Sequence, residues 1–462
     1  MKKILCLTLA AILVLGLFAC GAKEPEEPAV FKTGYGRADV TPVASVPLGG
    51  YGQTDKRKFE NILDNLYVSC VAFQDTEGTI GMVLSMDVIS STKAPNIRQK
   101  IEAETGVPQA NIMVAATHTH SAPDQNKAGA FVGQLEAGAV EAAKEALADL
   151  APTTITIGGT ETERMNFVRH YLMNDGTYFG DNFGSSKSGY KAHAEEGDPG
   201  MKVTRFIREG EDKKDIVMVN FQAHPCMTGG LTKLDLSADF IGSTRTYVEY
   251  QTKTHFIYFT GAAGNQNTKS YISGETRTTD YNEYGMILGD YIIGVLDNMT
   301  PAETGLVRSN EKAYSAEIDH TWDHLAAEAA AVNAVYQAEG RAAGNEEAHK
   351  YGISSVYHAS AIINRVSMPA TRDITVCTLT VGDLAFACAP YEMFAVHGRY
   401  IKENSPAPQT MVLSCCNGAN GYLPSNTAYD YGCYESHTGK FGRGTGDALA
   451  ELMISMIGET LE

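Results

Sequence analysis

Two histidines with one residue between them occur in the segment Thr-His-Thr-His at 117–120. Side chains at positions i and i+2 of an extended segment point to the same side, so the imidazoles of His118 and His120 are expected to face one ion. Neutral imidazole is a common protein ligand of zinc and of other transition metals. The pair therefore predicts a metal site, and the alternative is two hydrogen-bonded histidines of the protein core.

Three further polar residues stand where other apolar segments end, namely His224, Asn265 and Glu392. Each apolar segment is predicted to be a β-strand. Open α/β sheets bind ligands at the carboxyl ends of their strands. These three side chains are therefore expected to lie near the histidine pair, although they are distant from it in the sequence.

The elements that position these residues follow from alternating apolar and helical patterns. Strands are predicted over 67–73, 80–86, 111–116, 216–221, 256–259 and 411–415, a hairpin over 374–379 and 384–389, and helices over 94–105, 129–150, 325–344 and from 447 onward. The segment 175–200, rich in Gly, Ser and Asp, is predicted to form one long surface loop. The alternation predicts an α/β fold with a β-sheet core flanked by helices.

The composition excludes several classes of protein. The chain has 462 residues, 37 Lys and Arg against 55 Asp and Glu, and a formal net charge of −18. Its 44% of hydrophobic residues is typical of globular proteins and excludes a disordered or fibrous chain. The acidic balance argues against nucleic acid as a partner, because phosphate contacts require clustered Lys and Arg. The expected partner is a small-molecule or lipid substrate, and the oligomeric state is left open.

The first residues have the pattern of an export signal. A positively charged start precedes an apolar segment over 4–18, which is too short to span a bilayer comfortably. The small residue before Cys20 resembles the bacterial lipobox, in which the cysteine is lipidated. We therefore predict a signal peptide over 1–19, a lipidated Cys20 with a tether over 20–30, and a membrane-anchored lipoprotein of the bacterial cell envelope. The alternatives are a plain signal peptide and an uncleaved anchor.

Six motifs resemble, in the same order, the catalytic N-terminal domain of the neutral/alkaline (non-lysosomal) ceramidase family. They are Gly36-Arg37-Ala38-Asp39-Val40-Thr41-Pro42 with Leu48-Gly49-Gly50-Tyr51-Gly52, Ala116-Thr117-His118-Thr119-His120-Ser121-Ala122-Pro123, Asn220-Phe221-Gln222-Ala223-His224-Pro225, Leu236-Ser237-Ala238-Asp239-Phe240, Ala389-Pro390-Tyr391-Glu392, and Gly421-Tyr422-Leu423-Pro424 with Tyr434-Glu435. The resemblance implies one ceramidase-like catalytic domain over 31–462. The β-sandwich that follows in the family is expected to be absent.

The resemblance also implies a zinc site. The family holds zinc with two histidines, a glutamate and a tyrosine, which correspond here to His118, His224, Glu392 and Tyr422. Tyr434 is an alternative to Tyr422 as the tyrosine ligand. His120 and Arg169 correspond to family positions near the substrate carbonyl, where His120 would move protons and Arg169 would orient the substrate. The alternative for Arg169 is an ordinary surface salt bridge.

One position departs from the family pattern. The family's nucleophilic serine lies in a Gly-Asp-x-Ser-Pro-Asn motif, and the matching segment at 264–268 is Gly-Asn-Gln-Asn-Thr. Asn267 occupies the serine position, and an amide cannot act as a serine nucleophile. We expect zinc-activated water instead, with Asn267 donating a hydrogen bond to the oxyanion and Asn265 binding substrate. Replacement of the serine by Thr268 or Ser270 stays open.

The expected function is zinc-dependent hydrolysis of an amide bond by metal-activated water. An N-acyl lipid such as ceramide is one candidate substrate. Two alternatives stay open at this point. One is a zinc esterase, because the residues do not distinguish an ester from an amide. The other is a surface lipoprotein that binds a ligand without turning it over, which the missing serine and the predicted lipid anchor favour.

Overall fold

The computed structural model of the protein describes residues 29–51, 57–180 and 188–461. The predicted signal peptide over 1–19 and the predicted lipidation site Cys20 lie outside these residues. Of the helices within the described ranges, none combines the length and the apolar composition needed to cross a bilayer.

The secondary structure is divided between many strands and a smaller set of helices. The strands are β1 Lys32–Asp39, β2 Asn61–Ile62, β3 Tyr67–Gln74, β4 Ile80–Met86, β5 Ile112–Ala116, β6 Ala151–Glu161, β7 Phe167–Val168, β8 His170–Met173, β9 Tyr178–Gly180, β10 Tyr190–His193, β11 Gly200–Arg208, β12 Ile216–Phe221, β13 Asp235–Leu236, β14 His255–Thr260, β15 Gln266–Asn267, β16 Thr300–Ala302, β17 Val307–Glu317, β18 Thr371–Val381, β19 Leu384–Cys388, β20 Glu392–Met393, β21 Gln409–Leu413 and β22 Tyr422–Leu423. The helices are α1 Ala94–Thr105, α2 Gly129–Ala148, α3 Phe240–Thr252, α4 Tyr281–Leu296, α5 Ala326–Glu339, α6 Arg341–Lys350, α7 Val356–Arg365, α8 Ala395–Asn404, α9 Asn426–Tyr431, α10 Tyr434–Thr438 and α11 Thr445–Leu461, with 3₁₀ turns at Gln109–Asn111 and Asp323–Leu325.

Two stacked sheets form the centre of the fold. The larger sheet has the strand order β14-β12-β11-β6-β1-β3-β4-β5, with β16 paired to β6, and the smaller has the order β17-β18-β19-β21. Their facing sides meet in an aromatic and aliphatic core. The ring centroid of Phe73 lies 5.6 Å from that of Phe206, which is also in the larger sheet. It lies 6.0 Å from the ring centroid of Phe386 in the smaller sheet.

Helices cover the outer faces of both sheets. Helices α1 and α2 pack on the β1-β3-β4-β5 half of the larger sheet, and α3 and α4 pack on its β11-β12-β14 half. Helices α8 and α11 cover the smaller sheet. Strands buried on both faces are apolar along their whole length, which explains the short continuous apolar segments of the sequence. The predicted α/β class, a sheet core flanked by helices, is confirmed.

Three parallel strand pairs carry residues of the candidate site at their carboxyl ends. They are β4 with β5, β12 with β14, and β19 with β21. The carboxyl ends of two parallel neighbours lie at the same edge. Strand β5 leads into His118, β12 into His224, β14 into Asn265, and β19 into Glu392. All other pairs in the large sheet are antiparallel, so pairing alone does not align β5 with β12. Contacts between the pairs bring these ends together, because the Thr260 hydroxyl donates to the carbonyl oxygen of Thr117 at 2.6 Å and the Ala116 amide donates to that of Cys415 at 3.1 Å.

Two sequence predictions about local structure were wrong. The segment 175–200 is not one loop, because β9 and β10 flank β8 in a three-stranded sheet. The helix predicted over 325–344 is divided into α5 and α6 at Gly340, whose φ of 89° lies in the left-handed region. A glycine adopts this conformation without steric cost, and the chain there changes direction.

Helix α7 carries a buried histidine that stacks on a second histidine in α10. The rings of His358 and His437 are 4.4 Å apart between centroids and 4° from parallel. Ser354 Oγ lies 3.2 Å from Nδ1 of His358 and 2.9 Å from Nδ1 of His437. Burial, followed by the charges of His437 and Arg365, lowers the pKa of His358 to about 3. Burial and Arg365 lower the pKa of His437 to about 4, against the opposing effect of Asp319 and Glu435.

Acidification from pH 7 to pH 5 is expected to destabilise the fold through this pair. In that range the unfolded chain gains a proton on His358 and the folded chain does not, so stability falls as the pH falls. With an ordinary histidine pKa of about 6.5, the contribution of His358 alone at pH 5 is about 2 kcal/mol. Denaturant unfolding at both pH values should show a loss smaller by this amount in His358→Gln. The exposed His324→Gln variant is the control, and equal losses in wild type and His358→Gln would contradict the prediction.

Candidate metal centre

Three imidazoles and one carboxylate meet where the carboxyl ends of the strands come together. Nε2 of His118 lies 3.1 Å from Nε2 of His224 and 3.4 Å from Nε2 of His120. Oε2 of Glu392 lies 3.2 Å from Nε2 of His118 and 3.4 Å from Nε2 of His224. The structure thus brings three of the four predicted zinc ligands, and His120 with them, to one point.

The hydrogen bonds behind the rings determine which nitrogen faces this point. Nδ1 of His118 lies 2.7 Å from the carbonyl oxygen of Ile89, and Nδ1 of His224 lies 2.8 Å from that of Ala263. A carbonyl oxygen can only accept, so each Nδ1 carries the proton and, in a neutral ring, each Nε2 presents a lone pair. Lone pairs this close repel one another unless a cation stands among them.

The fourth donor atom supports the same conclusion. Oε2 of Glu392 is buried and, among the described residues, has no hydrogen-bond partner, although two imidazole nitrogens lie within ion-pair distance. A buried carboxylate oxygen normally accepts a hydrogen bond or binds a cation. Imidazole nitrogen together with carboxylate oxygen is a donor set of catalytic zinc sites. The residues present therefore fit a zinc ion.

The charges of the cluster also favour one positive ion. Burial opposes protonation of His118, but Glu392 and Cys415 raise the pKa of His118 well above its usual value. Burial and the neighbouring His118 lower the pKa of His120 well below its usual value. Burial favours the neutral form of Glu392, yet His118 lowers the pKa of this carboxyl well below its usual value. One carboxylate enclosed by three imidazoles thus retains one cation, whether a proton on His118 or a metal ion.

The backbone at His118 differs from the extended segment that the sequence predicted. Its φ is 70°, in the left-handed region that residues other than glycine rarely adopt. Hydrogen bonds hold the turn, from the His118 amide to the carbonyl of Val88 at 3.0 Å and from the His120 amide to that of Pro225 at 2.9 Å. The two rings do converge, but the turn and its backbone bonds bring them together. Such a left-handed residue at a ligand site stores strain that the surrounding structure compensates.

Two motif glycines allow the close approaches on which the cluster depends. A Cβ on Gly264 would lie 2.5 Å from the carbonyl oxygen of Glu392 and 2.8 Å from that of Met393. Gly50 has a φ of 87°, and a Cβ there would lie 2.7 Å from Cγ of His120. A side chain at either position would therefore displace a residue of the cluster.

Tyr422 lies beside Glu392 on a neighbouring strand. The two residues are register partners in the parallel pair of β20 and β22. Nη2 of Arg169 lies 3.4 Å from the Tyr422 hydroxyl, and the guanidinium carbon lies 5.7 Å from the centroid of the ring. Burial, followed by the charge of Glu392, raises the pKa of the Tyr422 phenol well above its usual value.

Arg169 forms a buried ion pair with Glu435, rather than the surface salt bridge considered from the sequence. Its Nε and Nη2 donate to Oε1 of Glu435 at 2.8 Å and 2.5 Å, and Nε2 of His170 lies 2.9 Å from Oε2 of the same carboxylate. Burial lowers the pKa of His170, but Glu435 and Cys433 together raise it to about 10. His170, Cys433 and Glu435 are close enough to ligate a metal. However, Arg169 and His170 already occupy both oxygens of Glu435.

The asparagines of the segment 264–268 have different surroundings. Oδ1 of Asn265 accepts from the amide of Ala395 at 2.8 Å, and its Nδ2 donates to Glu195 at 3.3 Å. The side-chain amide of the buried Asn265, which follows β14, thus binds the first residue of helix α8. Asn267 is in β15, beside His224 in a parallel bridge, and borders the cavity described below.

The Ser270 hydroxyl does not form a serine triad with His193 and Glu275. Oγ of Ser270 donates to Glu275 at 2.7 Å and lies 3.4 Å from Nε2 of His193. Glu275 contacts the same Nε2 at 2.9 Å, whereas a triad carboxylate contacts Nδ1. Thr268 is buried at the cavity wall.

A cavity of about 750 Å³ opens beside the cluster. His120, His224, Arg169, Asn267 and Tyr422 all border it. Its size suits a molecule larger than a simple amide. Two predicted metal ligands, His224 and Tyr422, and the predicted catalytic residues therefore face one space that can hold a substrate.

The pairing of Arg169 and His170 with Glu435 was missed by sequence reasoning. His170 follows Arg169 directly, and Glu435 stands within a motif that was singled out. Their residue types were visible, but nothing in one sequence shows that segments so far apart pair in the folded chain.

Comparisons with known proteins agree on one family. A family model described as neutral/alkaline non-lysosomal ceramidase, N-terminal, matches residues 31–268. The crystal structure of the neutral ceramidase from Pseudomonas aeruginosa superposes with a TM-score of 0.68 and 18% identity, covering 93% of this chain and 74% of that one. A structure described as ceramidase complexed with C2 gives a TM-score of 0.68 and 17% identity, covering 93% of this chain and 75% of that one. No curated protein matches the chain significantly. At these identities the structural likeness establishes the fold.

Replacement of Glu435 by glutamine is expected to destabilise the protein by about 3–5 kcal/mol, because it leaves the buried charge of Arg169 without its partner. The matched control is Glu104→Gln, which removes one partner of the exposed Lys144–Glu104 pair. Exposed pairs contribute at most about 1 kcal/mol. Denaturant unfolding measures both variants at pH 7, and losses of equal size would contradict the assignment of Glu435 as the partner that holds Arg169.

Proposed function

This chain belongs to the neutral/alkaline non-lysosomal ceramidase family, and on that premise we propose that it is a zinc-dependent hydrolase that cleaves the amide bond of an N-acyl lipid. The convergence of the histidine Nε2 atoms with Oε2 of Glu392 beside a large cavity carries the proposal. The cavity offers room for an acyl chain at the point where those donor atoms meet.

His118, His224 and Glu392 would hold the zinc ion, and Tyr422 would complete the set from the strand beside Glu392. His120 is the competing fourth ligand, since its Nε2 lies 3.4 Å from Nε2 of His118. A bound zinc ion supplies a water of lowered pKa and polarises a carbonyl group.

The remaining tasks belong to side chains at the cavity wall. The neutral ring of His120 can accept a proton from the attacking water and return it to the departing amine nitrogen. Arg169, held by Glu435, would orient the acyl carbonyl from the side of Tyr422. The Asn267 amide would donate to the oxyanion that forms on the carbonyl oxygen. Each of these three residues borders the cavity.

Metal content provides the first test. Purified wild-type protein is expected to contain about one zinc ion per chain, as four-ligand catalytic sites do. The double variant His118→Ala, His224→Ala should contain almost none, and the exposed His349→Ala variant is the matched control. Retention of zinc in His120→Ala, with loss in Tyr422→Phe, would identify Tyr422 as the fourth ligand. Equal and negligible zinc in wild type and double variant would refute the metal site.

The second test asks whether the attacking group is water, with Asn267 as the oxyanion donor, or a side-chain hydroxyl. Asn267→Ala is expected to lower kcat for an N-acyl amide by about 10²–10³, the cost of removing one oxyanion donor. Ser270→Ala should have a far smaller effect, because the Ser270 hydroxyl donates to Glu275. Loss of turnover in Thr268→Val or Ser270→Ala, with zinc retained, would instead identify a hydroxyl nucleophile.

The same assay compares kcat/KM for amides with kcat/KM for esters of the same acyl chains. A higher kcat/KM for esters would favour an esterase. Binding of acyl amides without turnover of either class by the zinc-loaded protein would favour a ligand-binding role.

A further inference from the structure

The cavity beside the candidate metal centre is basic, although the chain is acidic. Arg169, Lys233, Lys269 and Arg341 line it, and among the described residues that line it there is no Asp or Glu. The whole chain has 55 acidic residues against 37 basic ones. The described residues that line this cavity therefore reverse the charge balance of the protein.

Three of these cations come from separate segments of the chain. Lys233 precedes β13, Lys269 follows β15, and Arg341 is the first residue of α6. All three residues are exposed, whereas Arg169 is buried and forms an ion pair with Glu435. Cations contributed independently by three segments act together on whatever enters the cavity, because fields add within a recess.

Local contacts hold two of the three cations at the wall. The ammonium of Lys233 donates to the carbonyl oxygen of Met227 at 2.8 Å. The ammonium of Lys269 lies 5.2 Å from the centroid of the Tyr271 ring. Met227 and Tyr271 also line the cavity. Their apolar parts, together with Leu231 at 45% exposure, form a surface suited to an acyl chain.

We propose that the substrate is an acyl amide that also carries an anionic group, such as a carboxylate or a phosphate. This inference rests on the proposed amide hydrolysis and adds the charge of the substrate to it. The apolar wall would bind the acyl chain, Arg169 and Asn267 would meet the amide, and Lys233, Lys269 and Arg341 would bind the anion. A neutral headgroup would gain nothing from these three charges.

The first measurement compares substrates that share one acyl chain. N-acylglycine carries a carboxylate, N-acylphosphoethanolamine carries a phosphate, and N-acylethanolamine is neutral. At low salt the wild-type kcat/KM should be higher for at least one anionic substrate by about tenfold or more, as expected for bonds to charged groups. The anionic substrate with the larger kcat/KM shows whether the cations prefer a carboxylate or a phosphate. Added salt should reduce the advantage, because it screens exposed charges.

The second measurement removes the cations. In the triple variant Lys233→Gln, Lys269→Gln, Arg341→Gln, the ratio of anionic to neutral kcat/KM should fall by about tenfold or more. The matched control is Lys144→Gln, Lys312→Gln, Lys350→Gln, which removes the same charge from exposed surface ion pairs elsewhere. An equal ratio in wild type and triple variant, or a wild-type preference for the neutral substrate, would overturn the inference.

A binding experiment separates this inference from the proposed reaction. Sulfonamide analogues, N-alkylsulfonylglycine and N-alkylsulfonylethanolamine, cannot be hydrolysed, and calorimetry gives their affinities. Tighter binding of the anionic analogue by wild type but not by the triple variant would support the inference even if no amide is cleaved, in which case only the proposed reaction fails. Equal affinities would overturn it. A triple variant that loses only its binding to phosphatidylglycerol vesicles would assign the cations to a membrane surface and also overturn it.

Discussion

The repulsion among lone pairs around one carboxylate oxygen is the constraint on which the site depends. His118 and His224 are fixed by backbone carbonyls behind their rings, so neither can turn its Nε2 away from Glu392. Holding these atoms together costs free energy that a bound cation would recover. The surrounding structure therefore stabilises an arrangement that is unfavourable by itself, as is common at functional sites.

The second constraint is the convergence of distant segments at a single point. Hydrogen bonds between separate strand pairs, such as those from Thr260 to Thr117 and from Ala116 to Cys415, bring the ends of these strands together, and glycines let the backbones approach closely. Behind the cluster, the buried Glu435 holds Arg169 toward the cavity and accepts a hydrogen bond from His170. The site thus has an inner set of donor atoms, an outer set of partners that orient them, and a rigid frame that carries both.

The sequence predicted the inner set better than the outer one. Apolar segments follow simple periodicity, so the strands and the polar residues that end them could be predicted. The choice of His118, His224 and Glu392 among those residues came from the resemblance to the family. The left-handed turn at His118 could not, because it depends on backbone bonds to remote segments. Strands β9 and β10 were predicted as part of a loop, since they are short and need β8 as a partner to form. The ion pair of Arg169 with Glu435 depends on tertiary pairing that no local pattern encodes.

The origin of the donor atoms in two different sheets has a mechanical consequence. His118 and His224 extend from the larger sheet, whereas Glu392 follows a strand of the smaller one. A single ion bound by all three would cross-link the two sheets beside the cavity. It would also close a loop from His118 to Glu392, which is more than half of the chain. Separation of the layers would then require release of the ion, and the free energy of metal binding would add to the cohesion of the fold.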